Sequence, residues 1–154
     1  MMKCRVFPVA VFLFVSLHAL AQSEGVSGEW RGYWTDPSGL VYTAEVTLQT
    51  TRGCRTCALK SEGAIHGKIV WTLRNAGSNS SMAGKVGTSA TEYVRGEMRG
   101  ESFLVLNGYE KDDPGKIISL DQYRLALADN EQVIGGITLN SGPWNGQFLI
   151  RRVR

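Results

Sequence analysis

Short runs of alternating apolar and polar residues fill most of this chain. Leu40 to Gln49 is the cleanest: Leu40, Tyr42, Ala44, Val46 and Leu48 fall on one face, and Val41, Thr43, Glu45, Thr47 and Gln49 on the other. That period of two predicts a strand with one buried and one wet face. Glu29 to Thr35 alternates likewise, with Trp30, Gly32 and Trp34 in phase. So does 65–74, where Ile65, Gly67, Ile69, Trp71 and Leu73 oppose His66, Lys68, Val70, Thr72 and Arg74. These phases predict Tyr42, Val46, Ile69 and Trp71 inside.

Five further strands follow. Thr88 to Arg99 is polar and reads as an edge strand or one with a well-solvated face. Ser102 to Glu110 comes next, then Ile117 to Leu127 with Tyr123, Leu125 and Leu127 in phase. A short helix over Leu120 to Ala128 is the alternative there, because Ala and Leu favour helices. Gln132 to Leu139 puts Val133, Gly135, Ile137 and Leu139 in phase, and Trp144 to Val153 closes the series. Asp36-Pro37-Ser38-Gly39, Lys111-Asp112-Asp113-Pro114-Gly115 and Ser141-Gly142-Pro143 are turn signals. The Gly-, Ser- and Asn-rich stretch Asn75 to Gly87 reads as a long mobile loop, with Asn79-Ser80-Ser81 a formal glycosylation acceptor.

Nearly every strand carries a glycine beside a bulky or long residue. Trp30-Arg31-Gly32, Ile65-His66-Gly67, Val94-Arg95-Gly96, Leu106-Asn107-Gly108, Val133-Ile134-Gly135 and Trp144-Asn145-Gly146 are the triplets. Glycines recurring inside strands mark bends or close backbone approaches, as a curving sheet requires. About eight strands with mainly short turns predict an all-β fold, a single antiparallel up-and-down β-barrel, with a β-sandwich as the alternative.

Residues 1–21 read as a signal peptide: Lys3 and Arg5 precede an apolar run, and Ala19-Leu20-Ala21 suits cleavage before Gln22. The barrel domain is then 22–154, exported to a periplasmic or extracellular space with no stable membrane insertion. Lys3 and Arg5 remove two of the 17 basic residues, leaving 15 against 14 acidic ones. That balance offers no grip on nucleic acid. Cys54 and Cys57 are an even pair, which favours a disulfide in an exported chain. A redox Cys-x-x-Cys would want a helix start, and a zinc site would need His66 and Glu62 to complete four ligands. Neither a metal nor a cofactor is expected.

Gly28-Glu29-Trp30 resembles the glycine–any–tryptophan motif that opens the first strand of calycins, the lipocalin and avidin group. Asp121-Gln122-Tyr123 resembles, more distantly, the second lipocalin motif. The resemblance implies an up-and-down barrel in which Trp30 packs across the closed end against an arginine from a late strand, here Arg151 or Arg152.

No catalytic constellation is legible. His66 shares a phase with Lys68 and Val70, which points to a solvated strand face. Glu92, Glu97 and Glu101 lie in a charged strand and read as solvated, and Glu110, Asp112 and Asp113 read as part of a Pro-Gly turn. The aromatics remain. Trp34, Tyr42 and Trp71 either fill the core or line a cavity for a small apolar or amphipathic ligand. A non-enzymatic exported binding protein is the leading expectation. The alternatives are an interaction or inhibitor-like module with a filled core, working through protein partners, and an enzyme whose site is not recognisable.

Overall fold

The computed structural model describes residues 25–51, 64–140 and 145–153. The signal-peptide reading, Cys54, Cys57, Trp144 and Arg154 lie outside the described residues. Eight strands run in chain order: β1 Gly28–Thr35, β2 Leu40–Thr50, β3 Ala64–Ala76, β4 Ser89–Arg99, β5 Phe103–Asp112, β6 Gln122–Leu127, β7 Val133–Leu139 and β8 Gly146–Arg152. Each pairs antiparallel with the next, and β8 returns to β1. The result is a closed eight-stranded up-and-down barrel, compatible with calycin-like architecture.

The interior is built from the predicted alternation. Trp30, Trp34, Leu40, Tyr42, Val46, Ile69, Trp71 and Leu73 are all buried, as are Tyr123, Leu125 and Leu127. β6 alternates exposed and buried at every step, so the strand reading holds over the helical alternative. Closure also explains the strand glycines. A Cβ on Gly96 would overlap the Val105 carbonyl oxygen of the next strand, a backbone approach that only glycine permits.

Three expectations are corrected. Of the two readings of β4, an edge is excluded, since it pairs with β3 and β5, and a well-solvated face holds, with Arg95, Glu97 and Arg99 exposed. The β7 phase is opposite to the one expected: Ile134 and Thr138 are buried while Ile137 is 47 % exposed. Apolar residues occupy both faces of β7, and pairing of Ile134 with Ile150 and with Leu127 settles which face turns inward. The stretch after β3 is not simply a loop. Asn75 and Ala76 extend β3, and a four-residue helix, α1 Ser80–Ala83, follows. Asn79 caps it by accepting the Ser81 N–H, and Met82 is buried in the core.

Candidate functional site

The two ends of the barrel are closed by different means. At one end, Trp30 is fully buried and donates its indole N–H to the Val26 carbonyl at 3.1 Å. The Arg152 guanidinium lies over its ring, 4.2 Å from the centroid. Arg152 also donates to the carbonyls of Glu131, Ser27 and Gly25 at 2.9, 2.7 and 2.5 Å. Arg151, one residue away and therefore on the opposite face, is exposed. Of the two candidates, Arg152 packs against Trp30.

At the other end, Trp34, Tyr42, Trp71 and Glu92 come from four successive strands, β1 to β4. Cross-strand pairing sets Trp34 opposite Tyr42. The Trp34 and Tyr42 rings stand 5.8 Å apart at 67°, and those of Tyr42 and Trp71 6.1 Å apart at 77°. Phe148 of β8 packs between Trp71 and Tyr123. All three residues singled out as ligand-lining are thus brought together.

The connection between β5 and β6, residues 113–121, forms a strap over this mouth. Asp113 anchors it by accepting the Ile117 and Ile118 N–H groups at 2.8 and 3.1 Å and the Lys111 ammonium at 3.1 Å. Burial works to raise the Asp113 pKa, but those three donors outweigh it and hold the carboxyl below its ordinary value. Lys111 also donates to the Ile118 carbonyl. Ile117 is fully buried, and its carbonyl accepts the Tyr42 hydroxyl at 2.5 Å. The Tyr42 hydroxyl therefore latches the strap.

Beneath the strap, Glu92 is only 1 % exposed. This corrects the solvated reading. Its carboxylate accepts the Trp71 indole N–H at 3.1 Å, the Asp121 amide at 3.0 Å and the Tyr123 hydroxyl. Burial raises the Glu92 pKa to about 7 against the opposing pull of those donors. Burial likewise raises Asp121 to about 6, despite hydrogen bonds from Asn140, at 3.1 Å, and from Thr138. Thr138 also accepts the Trp34 indole N–H at 2.6 Å. Desolvation, then the nearby carboxyls, push the Tyr123 hydroxyl well above its ordinary value. Gly108 makes this arrangement possible: a Cβ there would overlap the Glu92 carboxylate. A register shift between Tyr93 and Val94 sets Gly108 opposite Val94 and Glu110 opposite Tyr93, which leaves Tyr109 as the extra residue of a bulge.

The strap and these side chains line a partly open recess of about 30 Å³, formed by Trp34, Tyr42, Trp71 and Glu92 from the strands, Ile117, Ile118, Ser119 and Asp121 from the strap, and Asn140 after β7. That volume admits a water molecule. It falls well short of the roughly 300–1,000 Å³ of small-molecule pockets. No group of three or more His, Cys, Asp or Glu among the described residues is placed to hold a metal ion. His66 is half-buried and pairs across strands with Gln49 and Arg95, apart from the carboxyls of the mouth.

The described chain is thus a closed up-and-down barrel clamped by an arginine at one end and strapped over an aromatic, acid-bearing mouth at the other. Compared with protein-family models, curated proteins and solved structures, the chain gave no match.

Glu92 carried a signal in the sequence that the charged neighbourhood masked. Ala90, Glu92 and Val94 share a phase, and both neighbours are buried. Thr138 and Asn140 carried none, and Asp121 only its place in the Asp121-Gln122-Tyr123 resemblance, because a strap and two strand ends bring them together.

Proposed function

We propose that this chain is an exported, non-enzymatic binding protein of calycin-like type, taking a small amphipathic molecule at the strapped mouth. The observation that supports this most is the buried polar constellation beneath the strap. The buried Glu92 carboxyl, the half-buried Asp121 carboxyl at the end of the strap and three aromatic rings with polar edges converge there, in a barrel that apolar residues would close more cheaply. Convergent polar groups in an aromatic recess are the mark of a ligand site, and raised carboxyl pKa values point the same way. The small recess means that the strap moves aside as the ligand enters. To move, the strap breaks the Tyr42 latch, lifts the buried Ile117 and releases the bonds from Lys85 and Lys111 to its Lys116 and Ile118 carbonyls.

One observation favours the second reading, an interaction module. The recess beneath the strap is only about 30 Å³, while Tyr33, Phe103, Tyr109 and Ile137 are 41–47 % exposed on the outer wall. Titration of tryptophan emission with a broad set of lipids and aromatic amphiphiles separates the two. A saturable change that is altered in Tyr42→Phe supports the mouth site. A flat response across the set, with chemical-shift changes confined to the outer wall when protein partners are added, supports the module.

A further inference from the structure

The mouth is acidic, and among the described residues no basic side chain pairs with its two carboxyls. Glu92 takes its three hydrogen bonds from neutral donors: an indole, a phenol and a backbone amide. Asp121 is bonded to an amide and a hydroxyl, both neutral. Among the described residues, the ion pairs are Arg31 with Glu45, Arg99 with Glu97 and Lys111 with Asp113, and none includes Glu92 or Asp121. The lysines that reach the strap are directed elsewhere, Lys111 to Asp113 and the Ile118 carbonyl, Lys85 to the Lys116 carbonyl. A buried carboxylate without a cation is expensive.

The walls have the same electrostatic sense. Trp34, Tyr42 and Trp71 stand as consecutive panels, each steeply inclined to the next. Each has its polar edge already engaged, by Thr138, the Ile117 carbonyl and Glu92 respectively. What remains to a guest is the apolar, electron-rich ring surface, which attracts cations and disfavours anions. A neutral guest would leave the carboxylates uncompensated, and an anionic one would be repelled.

We infer that the molecule taken up at the mouth carries a compact organic ammonium group, seated among Trp34, Tyr42 and Trp71 and facing Glu92 and Asp121. The inference rests on the binding reading above and adds the charge of the ligand to it. The ammonium would supply the counter-charge that the described residues do not. Its alkyl groups would replace the side chains of Ile117 and Ile118 against the rings when the strap lifts.

Three molecules of nearly the same shape test this on the full chain: choline, its neutral carbon analogue 3,3-dimethylbutan-1-ol, and the anion 3,3-dimethylbutanoate. Each is titrated at pH 8 by calorimetry, with tryptophan emission as a second readout. The expected result is saturable choline binding at least about ten-fold tighter than that of the alcohol, and none for the anion. Glu92→Gln and Asp121→Asn, each checked for a native near-ultraviolet circular dichroism spectrum, should each reduce that preference, and Asp121→Asn keeps the test open if Glu92→Gln does not fold. Equal binding of choline and the alcohol overturns the cation inference and leaves the mouth-binding reading standing. Preference for the anion overturns it as well. Failure of all three to bind also overturns it, and the broad amphiphile titration then decides whether the binding reading falls too.

Discussion

The Arg152 guanidinium lies 4.2 Å from the centroid of the Trp30 ring. In the same position it donates to the carbonyls of Gly25, Ser27 and Glu131. One side chain thus covers the buried indole and satisfies acceptors from two segments far apart in sequence. Arg152→Met should destabilise the barrel by about 2–4 kcal/mol, from the lost charge-assisted hydrogen bonds and the stacked cation. Arg152→Lys should recover only part of this, because an ammonium cannot reproduce the planar fork. Arg151→Ala should change stability by less than about 0.5 kcal/mol, as befits an exposed strand face. Urea unfolding of the three variants checks the ranking.

Gly108 leaves the space that the Glu92 carboxylate fills. Gly108→Ala should displace a group held by three hydrogen bonds and cost about 2–4 kcal/mol by overpacking and lost bonds. Gly84→Ala is the control, since nothing lies within 4 Å of a Cβ there and its φ of −76° suits any residue. It should be neutral within about 0.5 kcal/mol. Equal destabilisation by both would contradict the account.

The strap depends on the Tyr42 hydroxyl and on Asp113. Tyr42→Phe removes a hydrogen bond and leaves the Ile117 carbonyl without that partner, which should cost about 1–2 kcal/mol. A phenol reaching only a ligand would leave the free protein's stability nearly unchanged. The effect should be local. Amide hydrogen exchange should quicken at Ile117 and Ile118 well before it does in β1 to β3. Asp113→Asn should loosen the same amides, because the carboxylate anchors both.

Stability should fall from mildly acid to alkaline pH. Glu92 and Asp121 have folded pKa values of about 7 and about 6, above the ordinary 4.5 and 3.8. A carboxyl whose pKa is raised by folding holds its proton more tightly in the native state. Its contribution is full below the ordinary value and is lost as pH rises through the folded one. Between pH 5 and pH 8 Glu92 alone should account for a loss of about 2–3 kcal/mol. Asp121 adds in the same direction. Asp113, held low, acts oppositely, and its contribution is lost only as acid reaches its depressed pKa. Urea midpoints across this range should show the decline in the native protein and a flatter profile in Glu92→Gln. An unchanged slope in that variant would remove Glu92 from the account.

The sequence by itself determined an all-β fold of about eight strands and favoured a barrel over a sandwich; the pairing of β8 with β1 decided closure. Period-two alternation in β1, β2, β3 and β6 places each core residue without reference to the others, because a strand's two faces are set locally by the pleat. Strand glycines such as Gly96 announced that neighbouring backbones come close, and Trp30 was legible from its phase and its Gly-x-Trp setting. Tertiary structure decided what alternation leaves open. β7 is apolar on both faces, so closure against β6 and β8, and not pattern, turned Ile134 inward. Arg152 rather than Arg151 reaches Trp30 because β8 enters the ladder with that parity. Glu92 looked like one solvated acid among several. Its burial depends on Gly108 in another strand, a bulge at Tyr109, and a strap whose only local mark was a turn. Those contacts join residues distant in sequence, and no single segment carries the information that brings them together.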